Sequence, residues 1–277
     1  MTLREAEAAL EKAGIKTGAF DVLTLAEEAS ARSRASLLSS RFDDISNEAW
    51  FCRFYAMLQR RLRREPLQYI IGKWEFYGRC FTVTPDTLIP RPETEMLVDF
   101  AVKNLSPDAV VADLCCGMGA VGISVALEMG CRVICADISQ KALDVAKQNA
   151  EKLGAADKTS FVLVDVLACD KPDGEFDMIL CNPPYVRSGD IDTLEPELSY
   201  EPRLALDGGE DGLLFYRAIT KKYADKLKPG GCFVYEIGYD QAEDVKTIAK
   251  ENGFECEVYK DSSGIERMAV LKRAIKK

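Results

Sequence analysis

The chain has 277 residues, of which 47% are apolar and 29% are charged, a composition that excludes a disordered chain and a membrane-embedded one. Its 36 basic and 45 acidic side chains leave a net charge of −9, so the chain has no general attraction to nucleic-acid phosphates. We therefore expect protein or small-molecule partners and no stable binding of nucleic acid. We also expect no membrane association and a monomer.

The cysteine and histidine counts limit the chemistry. The ten cysteines include no C-x-x-C pair, and there is no histidine to complete a zinc site, so we expect no metal. Cysteines within apolar stretches, such as Cys135 and Cys181, are typical of free thiols in a reducing compartment. Because the first residues also lack a signal-peptide pattern, we predict a cytoplasmic protein. Without histidine, Ser–His and Cys–His nucleophile pairs are excluded.

Helical spacing of apolar residues dominates the first 66 residues. Thr2 and Glu5 form a predicted capping box, and Leu3, Ala6 and Leu10 follow at helical spacing. The same period returns over residues 20–30 and 47–64. We predict a small helical bundle domain over residues 1–66.

The last of these helices ends in the basic run Arg60-Arg61-Leu62-Arg63-Arg64. Our interpretation is a solvated helix end, with the cations near the helix carbonyls. An RNA contact is the alternative, but short basic runs are weak evidence for one.

Aromatic and β-branched residues broken by glycines occupy residues 67–84. The pattern from Gln68 through Gly78 to Val83 predicts a β-hairpin that links two domains.

Strand and helix patterns alternate over residues 85–277, which we predict to form one catalytic domain. A helix over residues 93–104 comes first. The predicted strands then cover residues 109–114, 132–136, 160–164, 178–181 and 232–237, the predicted helices 121–129, 141–153, 211–227 and 240–251, and a final strand pair 255–260 and 267–272. This series predicts an α/β fold with a mainly parallel sheet covered by helices and an antiparallel pair at one end.

The segment Asp113-Leu114-Cys115-Cys116-Gly117-Met118-Gly119 runs from a predicted strand through a glycine turn. With Gly122 it satisfies G-x-G-x-x-G, a weak pattern that NAD, FAD and S-adenosylmethionine sites share. Asp113 would repel a pyrophosphate, but it suits the cationic methionine part of S-adenosylmethionine, directly or through water. The segment therefore favours S-adenosylmethionine, with the glycine backbone packed against the ligand.

Acidic residues also follow the next two predicted strands. Asp137 ends one strand, where its carboxylate can accept hydrogen bonds from the ribose hydroxyls of a nucleoside. Asp165 follows the other and can accept from an adenine amino group, with Val166 packed on the ring. A single aspartate of this kind is equally well explained as a turn residue. Three in succession favour a nucleoside site.

The most specific motif is Asn182-Pro183-Pro184-Tyr185, which ends an apolar strand. The Asn182 side-chain oxygen and the Pro183 carbonyl can each accept a hydrogen bond from one NH₂ group, and Tyr185 can stack on a flat substrate. An amide nitrogen is a poor nucleophile, so it must be oriented close to the methyl carbon that it attacks. The motif predicts methyl transfer to a planar nitrogen, either an amide or an adenine amino group.

At this point the chain resembles the class I S-adenosylmethionine-dependent methyltransferases and, more closely, the peptide chain release factor glutamine methyltransferases, the HemK or PrmC family. The resemblance covers nearly the whole chain. It includes Glu65-Pro66-Leu67-Gln68-Tyr69-Ile70-Ile71-Gly72, Leu88-Ile89-Pro90-Arg91-Pro92-Glu93-Thr94-Glu95, the loop from Asp113 to Gly119, Asn182 to Tyr185, and the stretch from Tyr200 to Leu213.

The resemblance implies a Rossmann-like seven-stranded sheet and methylation of N5 of the glutamine in the Gly-Gly-Gln motif of release factors, with S-adenosylhomocysteine as the second product. The helical domain would help to hold the release factor. Asn182, Pro183 and Tyr185 would be catalytic, and Pro184 would join them in binding the substrate. The implied cofactor-binding residues are Asp113, Cys115, Cys116, Gly117, Met118, Gly119, Asp137, Asp165, Val166 and Asn182.

The chain departs from the family pattern in the glycine loop, where Cys115 and Cys116 replace the usual Gly and Thr. A positive φ at Cys115 would be strained. The resemblance also implies that residues 91–94 line the substrate entrance.

Other functions remain open to the sequence. An adenine N6-methyltransferase acting on DNA or RNA would use the same motif, but it would need a basic face for base flipping. A ribosomal-protein glutamine methyltransferase has the same four residues but differs from this chain in the Pro-Arg-Pro-Glu-Thr-Glu stretch and before Asp211-Gly212-Leu213. A binding module or an NAD-dependent oxidoreductase would leave Asn182 to Tyr185 without a purpose.

Overall fold

The computed structural model describes residues 1–168 and 171–274 and divides the chain into two compact units. The first contains Met1–Lys73 together with Glu195–Tyr200, and the second contains Trp74–Leu194 and Glu201–Lys277. A short segment far along the sequence thus belongs to the N-terminal unit. Within the described residues, none of the helices has the length and apolar character needed to cross a membrane.

The first unit is helical, as predicted. Its helices are α1 (Leu3–Lys12), α2 (Gly18–Ser30), α3 (Arg34–Ser39), α4 (Phe51–Leu62) and α5 (Leu67–Ile71). The capping box is confirmed, because Thr2 accepts from the Glu5 backbone N–H and the Glu5 side chain accepts from the Thr2 backbone N–H. The apolar faces of α1, α2 and α4 supply the core, which includes Leu10, Leu25 and Phe54.

Two details of this unit differ from the prediction. The helix α3 was not expected, and residues 67–71 form the helix α5 instead of part of a strand. The β-branched and aromatic residues of this stretch favour a strand locally. As a helix, however, it buries Leu67, Tyr69 and Ile70, and burial of apolar side chains outweighs so weak a propensity.

A two-stranded hairpin of β1 (Lys73–Phe76) and β2 (Arg79–Thr82) follows. Its two-residue turn, Tyr77-Gly78, has positive φ at both positions, as a tight hairpin between twisted strands requires.

The second unit is the predicted α/β domain. Its helices are α6 (Glu95–Asn104), α7 (Ala120–Met129), α8 (Gln140–Leu153), α9 (Leu214–Lys222) and α10 (Ala242–Glu251). Its sheet strands are β3 (Val110–Leu114), β4 (Arg132–Asp137), β5 (Thr159–Leu163), β6 (Phe176–Cys181), β7 (Leu227–Glu236), β8 (Phe254–Lys260) and β9 (Glu266–Arg273).

Within the described residues the sheet has seven strands in the order β5-β4-β3-β6-β7-β9-β8. The strands from β5 to β7 are parallel, and β9 is antiparallel to both β7 and β8. The predicted fold class is therefore confirmed. The strand order reverses between β3 and β6, and open α/β sheets bind ligands at such a point, beyond the carboxyl ends of the strands.

Candidate functional site

A pocket lies at the carboxyl ends of the parallel strands. It encloses about 170 Å³, and about 860 Å³ when the open space at its mouth is counted. Residues that follow the strand ends line it on one side, and residues from the loop before α9 line it on another. The lining includes Cys115, Gly117, Asp137, Ser139, Val164, Asp165, Val166, Asn182, Pro184, Pro202, Leu204 and Phe215.

The glycine loop after β3 is held in a tight turn. Cys115, Gly117 and Gly119 all have positive φ, at 57°, 55° and 79°. For Cys115, a residue with a Cβ, this conformation costs about 1–2 kcal/mol. Gly117 faces open space, since a Cβ built on it would have no neighbour within 4 Å. The loop thus presents bare backbone to the pocket, while Cys116 and Met118 are buried beneath it.

Asp113 does not line the pocket. It is 2% exposed, and its Oδ2 accepts a hydrogen bond of 2.8 Å from the Gly122 N–H in the first turn of α7. Gly122 leaves room for this contact, because a Cβ there would lie 2.9 Å from the carboxylate. Burial raises the pKa of Asp113 to about 7. The structure therefore places Asp113 under the glycine loop, supporting it from behind.

Asp137 and Asp165 both line the pocket, together with Val166. The Asp137 carboxylate accepts hydrogen bonds from the Gly117 N–H at 2.8 Å and from the Ser139 N–H at 2.9 Å. Burial raises the pKa of Asp137, although these N–H groups oppose the effect. Asp165 accepts from the Leu167 N–H at 2.8 Å. Asp137 thus connects the end of β4 to the glycine loop within the lining of the pocket.

Asn182 and Pro184 line the same pocket, whereas Pro183 and Tyr185 are not part of its lining, and Tyr185 packs against the hydrophobic core. The Asn182 Nδ2 donates to Thr94 Oγ1 at 3.3 Å. The Tyr185 hydroxyl donates to Glu236 Oε1 at 3.2 Å, and burial raises the pKa of Tyr185 further above its ordinary range. The structure thus holds both ends of the motif by hydrogen bonds to other elements.

Three residues behind this motif were not predicted from the sequence as parts of the site. Thr94 was expected only at the substrate entrance, yet its hydroxyl donates to Glu236 Oε2 at 2.5 Å. Gln241 donates to the Tyr185 carbonyl at 3.0 Å and to the Gly212 carbonyl at 3.2 Å. The available signal was the position of Glu236, since a carboxylate ends the apolar strand β7 at the same edge of the sheet.

The basic run at the end of α4 is not a solvated helix end, so that interpretation was wrong. Arg61 is 5% exposed and pairs with Asp21 at 2.6 Å and with Glu197 at 3.0 Å. Arg64 pairs with Glu197 at 2.6 Å, and Arg60 pairs with Glu65. All of these partners belong to the first unit. Three of the four arginines are therefore bound to carboxylates, which leaves little charge for RNA.

Comparison with known proteins gives matches to both parts of the chain. The PrmC N-terminal domain matches residues 2–72, and the methyltransferase small domain matches residues 92–200.

Similar proteins extend these matches over the chain. The release factor glutamine methyltransferase of Neisseria gonorrhoeae is 41% identical over 78% of this chain and 80% of its own length. The protein of the same name from Geobacter sulfurreducens is 37% identical over 94% of this chain and 91% of its own. Among solved structures, a methyltransferase from Pyrococcus furiosus superposes with a TM-score of 0.56 and 17% identity, over 72% of this chain and 91% of that one, a likeness of fold alone.

Proposed function

Because the chain belongs to the release factor glutamine methyltransferase family, we propose that it methylates N5 of the glutamine in the Gly-Gly-Gln motif of peptide chain release factors. The methyl donor of this S-adenosylmethionine-dependent methyltransferase is a sulfonium, which supplies an activated methyl group. The residues of the chain must do the rest: they bind the cofactor and the substrate, orient them, and exclude water.

The orientation of the Asn182 amide carries the proposal. Its Nδ2 is bound to Thr94, so its Oδ1 is turned away from Thr94 and can accept an N–H of the substrate amide. The Pro183 carbonyl is the second acceptor of the same NH₂ group, and a proline has no N–H that would compete. Two acceptors hold the nitrogen in place and stabilise the positive charge that it develops as it attacks.

The pocket fits the cofactor on the evidence of its lining. The backbone at Gly117 is open to the pocket, and carboxylates border it at Asp137 and Asp165. We propose that Asp137 binds the ribose hydroxyls and that Asp165 accepts from the adenine amino group, with Val166 on the ring. Cys115 and Gly117 contribute the loop surface around the methionine part, and Cys116 and Met118 support it from beneath.

For Asp113 we propose an indirect role. Since its carboxylate is bound to the Gly122 N–H beneath the loop, it acts on the cationic part of the cofactor through its field and by holding the loop in shape.

For the partner, we propose a release factor held in part by the helical unit, acting in the cytoplasm. The overall charge of −9 and the pairing of Arg60, Arg61 and Arg64 with carboxylates support a protein substrate over a nucleic acid.

The decisive experiment gives the enzyme labelled S-adenosylmethionine together with one of three acceptors. These are a release factor, the same factor with Gly-Gly-Gln changed to Gly-Gly-Ala, and duplex DNA. We expect label on the first acceptor alone. Label on the Gly-Gly-Ala factor would show a different target residue, and label on DNA alone would replace this proposal with adenine methylation.

A further inference from the structure

A buried carboxylate lies behind the Asn182–Tyr185 segment, and the chemistry proposed above does not use it. Glu236 is the last residue of β7 and is 2% exposed. Its Oε2 accepts from Thr94 Oγ1 at 2.5 Å, and its Oε1 accepts from the Tyr185 hydroxyl at 3.2 Å. Burying a carboxylate is unfavourable even when it is hydrogen-bonded. Packing alone therefore does not account for an acidic side chain at this place.

The chemistry of these groups determines the direction of each hydrogen bond. A carboxylate only accepts, so both hydroxyls must donate to it. The single proton of the Thr94 hydroxyl is then committed to Glu236, and its oxygen can only accept from the Asn182 amide. That amide therefore has to place Nδ2, its donor end, toward Thr94, at 3.3 Å. As long as Glu236 is ionised, donation therefore runs from Asn182 to Thr94 to Glu236. Burial raises the pKa of Glu236, and the hydroxyls of Thr94 and Tyr185 oppose this by donating to its charged form.

We propose that Glu236 and Thr94 are positioning residues for methyl transfer, which determine that Asn182 presents its oxygen, and not its nitrogen, to the substrate. The inference rests on the proposed function, in which Asn182 Oδ1 accepts an N–H of the substrate amide. Through its second oxygen, Glu236 also holds the Tyr185 hydroxyl, so one carboxylate orients both ends of the motif.

A reversed network would present the wrong group. With a neutral side chain at position 236 that can donate, the Thr94 hydroxyl can accept from it and give its own proton to Asn182 Oδ1. The Asn182 side-chain amide would then flip and direct its NH₂ group at the NH₂ group of the substrate. Two donors cannot form a hydrogen bond, so the substrate nitrogen would lose one of its two acceptors.

Three variants test the network. Thr94→Val removes the hydroxyl with little change of shape, Thr94→Ser keeps it, and Glu236→Gln makes the reversed network possible. Thr220→Val is the matched control, because Thr220 is also buried and, within the described part of the chain, its hydroxyl hydrogen-bonds only to that of Tyr235, at 3.1 Å. We would measure kcat and KM with a Gly-Gly-Gln release factor, and cofactor affinity by calorimetry.

We expect Thr94→Val and Glu236→Gln to lower kcat by roughly tenfold or more, as the loss of one oriented polar group does. Cofactor affinity should stay within about twofold, because the loss concerns the transition state. Thr94→Ser should keep most of the activity. A purely structural role would instead lower thermal stability in Thr94→Val and Thr220→Val alike and leave kcat unchanged. If Glu236→Gln fails to fold, the comparison of Thr94→Val with Thr94→Ser decides.

The variant Asn182→Ala separates this inference from the proposed function. A loss of kcat in Asn182→Ala without a loss in Thr94→Val would overturn the positioning role and leave the proposed function standing. An unchanged kcat in Asn182→Ala would overturn both.

Discussion

Asp113 shows how far the surroundings of a single residue can change its chemistry. Burial raises its pKa to about 7, the Gly122 N–H opposes this effect, and the charge of Asp137 adds to it. Near neutral pH the group is therefore only partly ionised in the folded protein. In the unfolded chain it ionises near its ordinary pKa of 3.8, so folding and proton binding are linked at this residue.

The sign of this linkage gives a prediction for Asp113→Asn. A raised folded pKa means a contribution to stability that is present below pH 3.8 and is lost as the pH rises to about 7. The asparagine keeps an oxygen for the Gly122 N–H but does not ionise. Relative to wild type, the variant should therefore gain stability as the pH rises from 4 to 7, by up to about 1.4 kcal/mol per pH unit.

Denaturant unfolding of both proteins across this pH range measures the difference. Asp108→Asn, at an exposed position before β3, controls for the loss of one carboxylate. Parallel pH curves for wild type and Asp113→Asn would contradict the prediction.

At the scale of elements, the segment before α9 lies directly on the backbone of the Asn182–Tyr185 segment. A Cβ on Gly208 would lie 2.7 Å from Tyr185 Cα, and one on Gly212 would lie 2.5 Å from the Tyr185 carbonyl oxygen. Gly212 also has a positive φ of 75°. Glycine is therefore needed at both places, and the motif owes its position partly to this contact.

We expect Gly212→Ala to destabilise the protein by about 2 kcal/mol or more, since the backbone conformation and the close contact both resist a side chain. It should also lower kcat more than cofactor affinity, because Tyr185 would have to move. Gly253→Ala is the matched control: its φ is 80°, but a Cβ there would meet nothing within 4 Å. Comparing thermal unfolding and turnover between the two variants isolates the effect of the close contact. Equal losses of stability and kcat in both variants would show that the contact has no effect of its own.

At the scale of the whole chain, Glu195–Tyr200 joins the helical unit although residues 74–194 separate the two in sequence. The Glu197 carboxylate accepts from Arg61 and Arg64, and the Tyr200 hydroxyl donates to the Arg63 carbonyl at 2.7 Å. Burial opposes ionisation of Glu197, but the two arginines outweigh it and lower its pKa below 4.5. The end of α4 is thus the anchor of this segment.

Glu197→Gln should therefore weaken the helical unit by about 1–2 kcal/mol at pH 7, less than the loss of a fully buried ion pair because the carboxylate is partly exposed. A lowered folded pKa contributes stability that is present above pH 4.5 and is lost as the pH falls through the folded value. The difference from wild type should shrink at acid pH.

Amide hydrogen exchange along α4 at pH 7, and denaturant unfolding at lower pH, provide the measurements. Glu195→Gln, an exposed neighbour in the same segment, is the control for charge. Equal protection of α4 in wild type and Glu197→Gln would show that the ion pairs do not hold the unit together.

The sequence by itself determined the order of elements, the family and the edge of the sheet where the site lies. These follow from local patterns: apolar periodicity, the glycine turn after Asp113, and polar residues at successive strand ends. Sequence similarity over most of the chain confirmed the family. Local patterns gave the wrong secondary structure where tertiary packing determined it, as in α5, which is helical despite its β-branched residues.

Only the tertiary structure decided what each polar group does at the site. Thr94, Asn182 and Glu236 are far apart in sequence, and their hydrogen bonds determine which end of the Asn182 amide faces the pocket. Likewise, the sequence predicted a solvated basic run because the partners of Arg61 are distant in sequence: Asp21 and Glu197 lie 40 and 136 residues away from it. Burial and hydrogen-bond direction depend on such distant partners, so no local pattern records them.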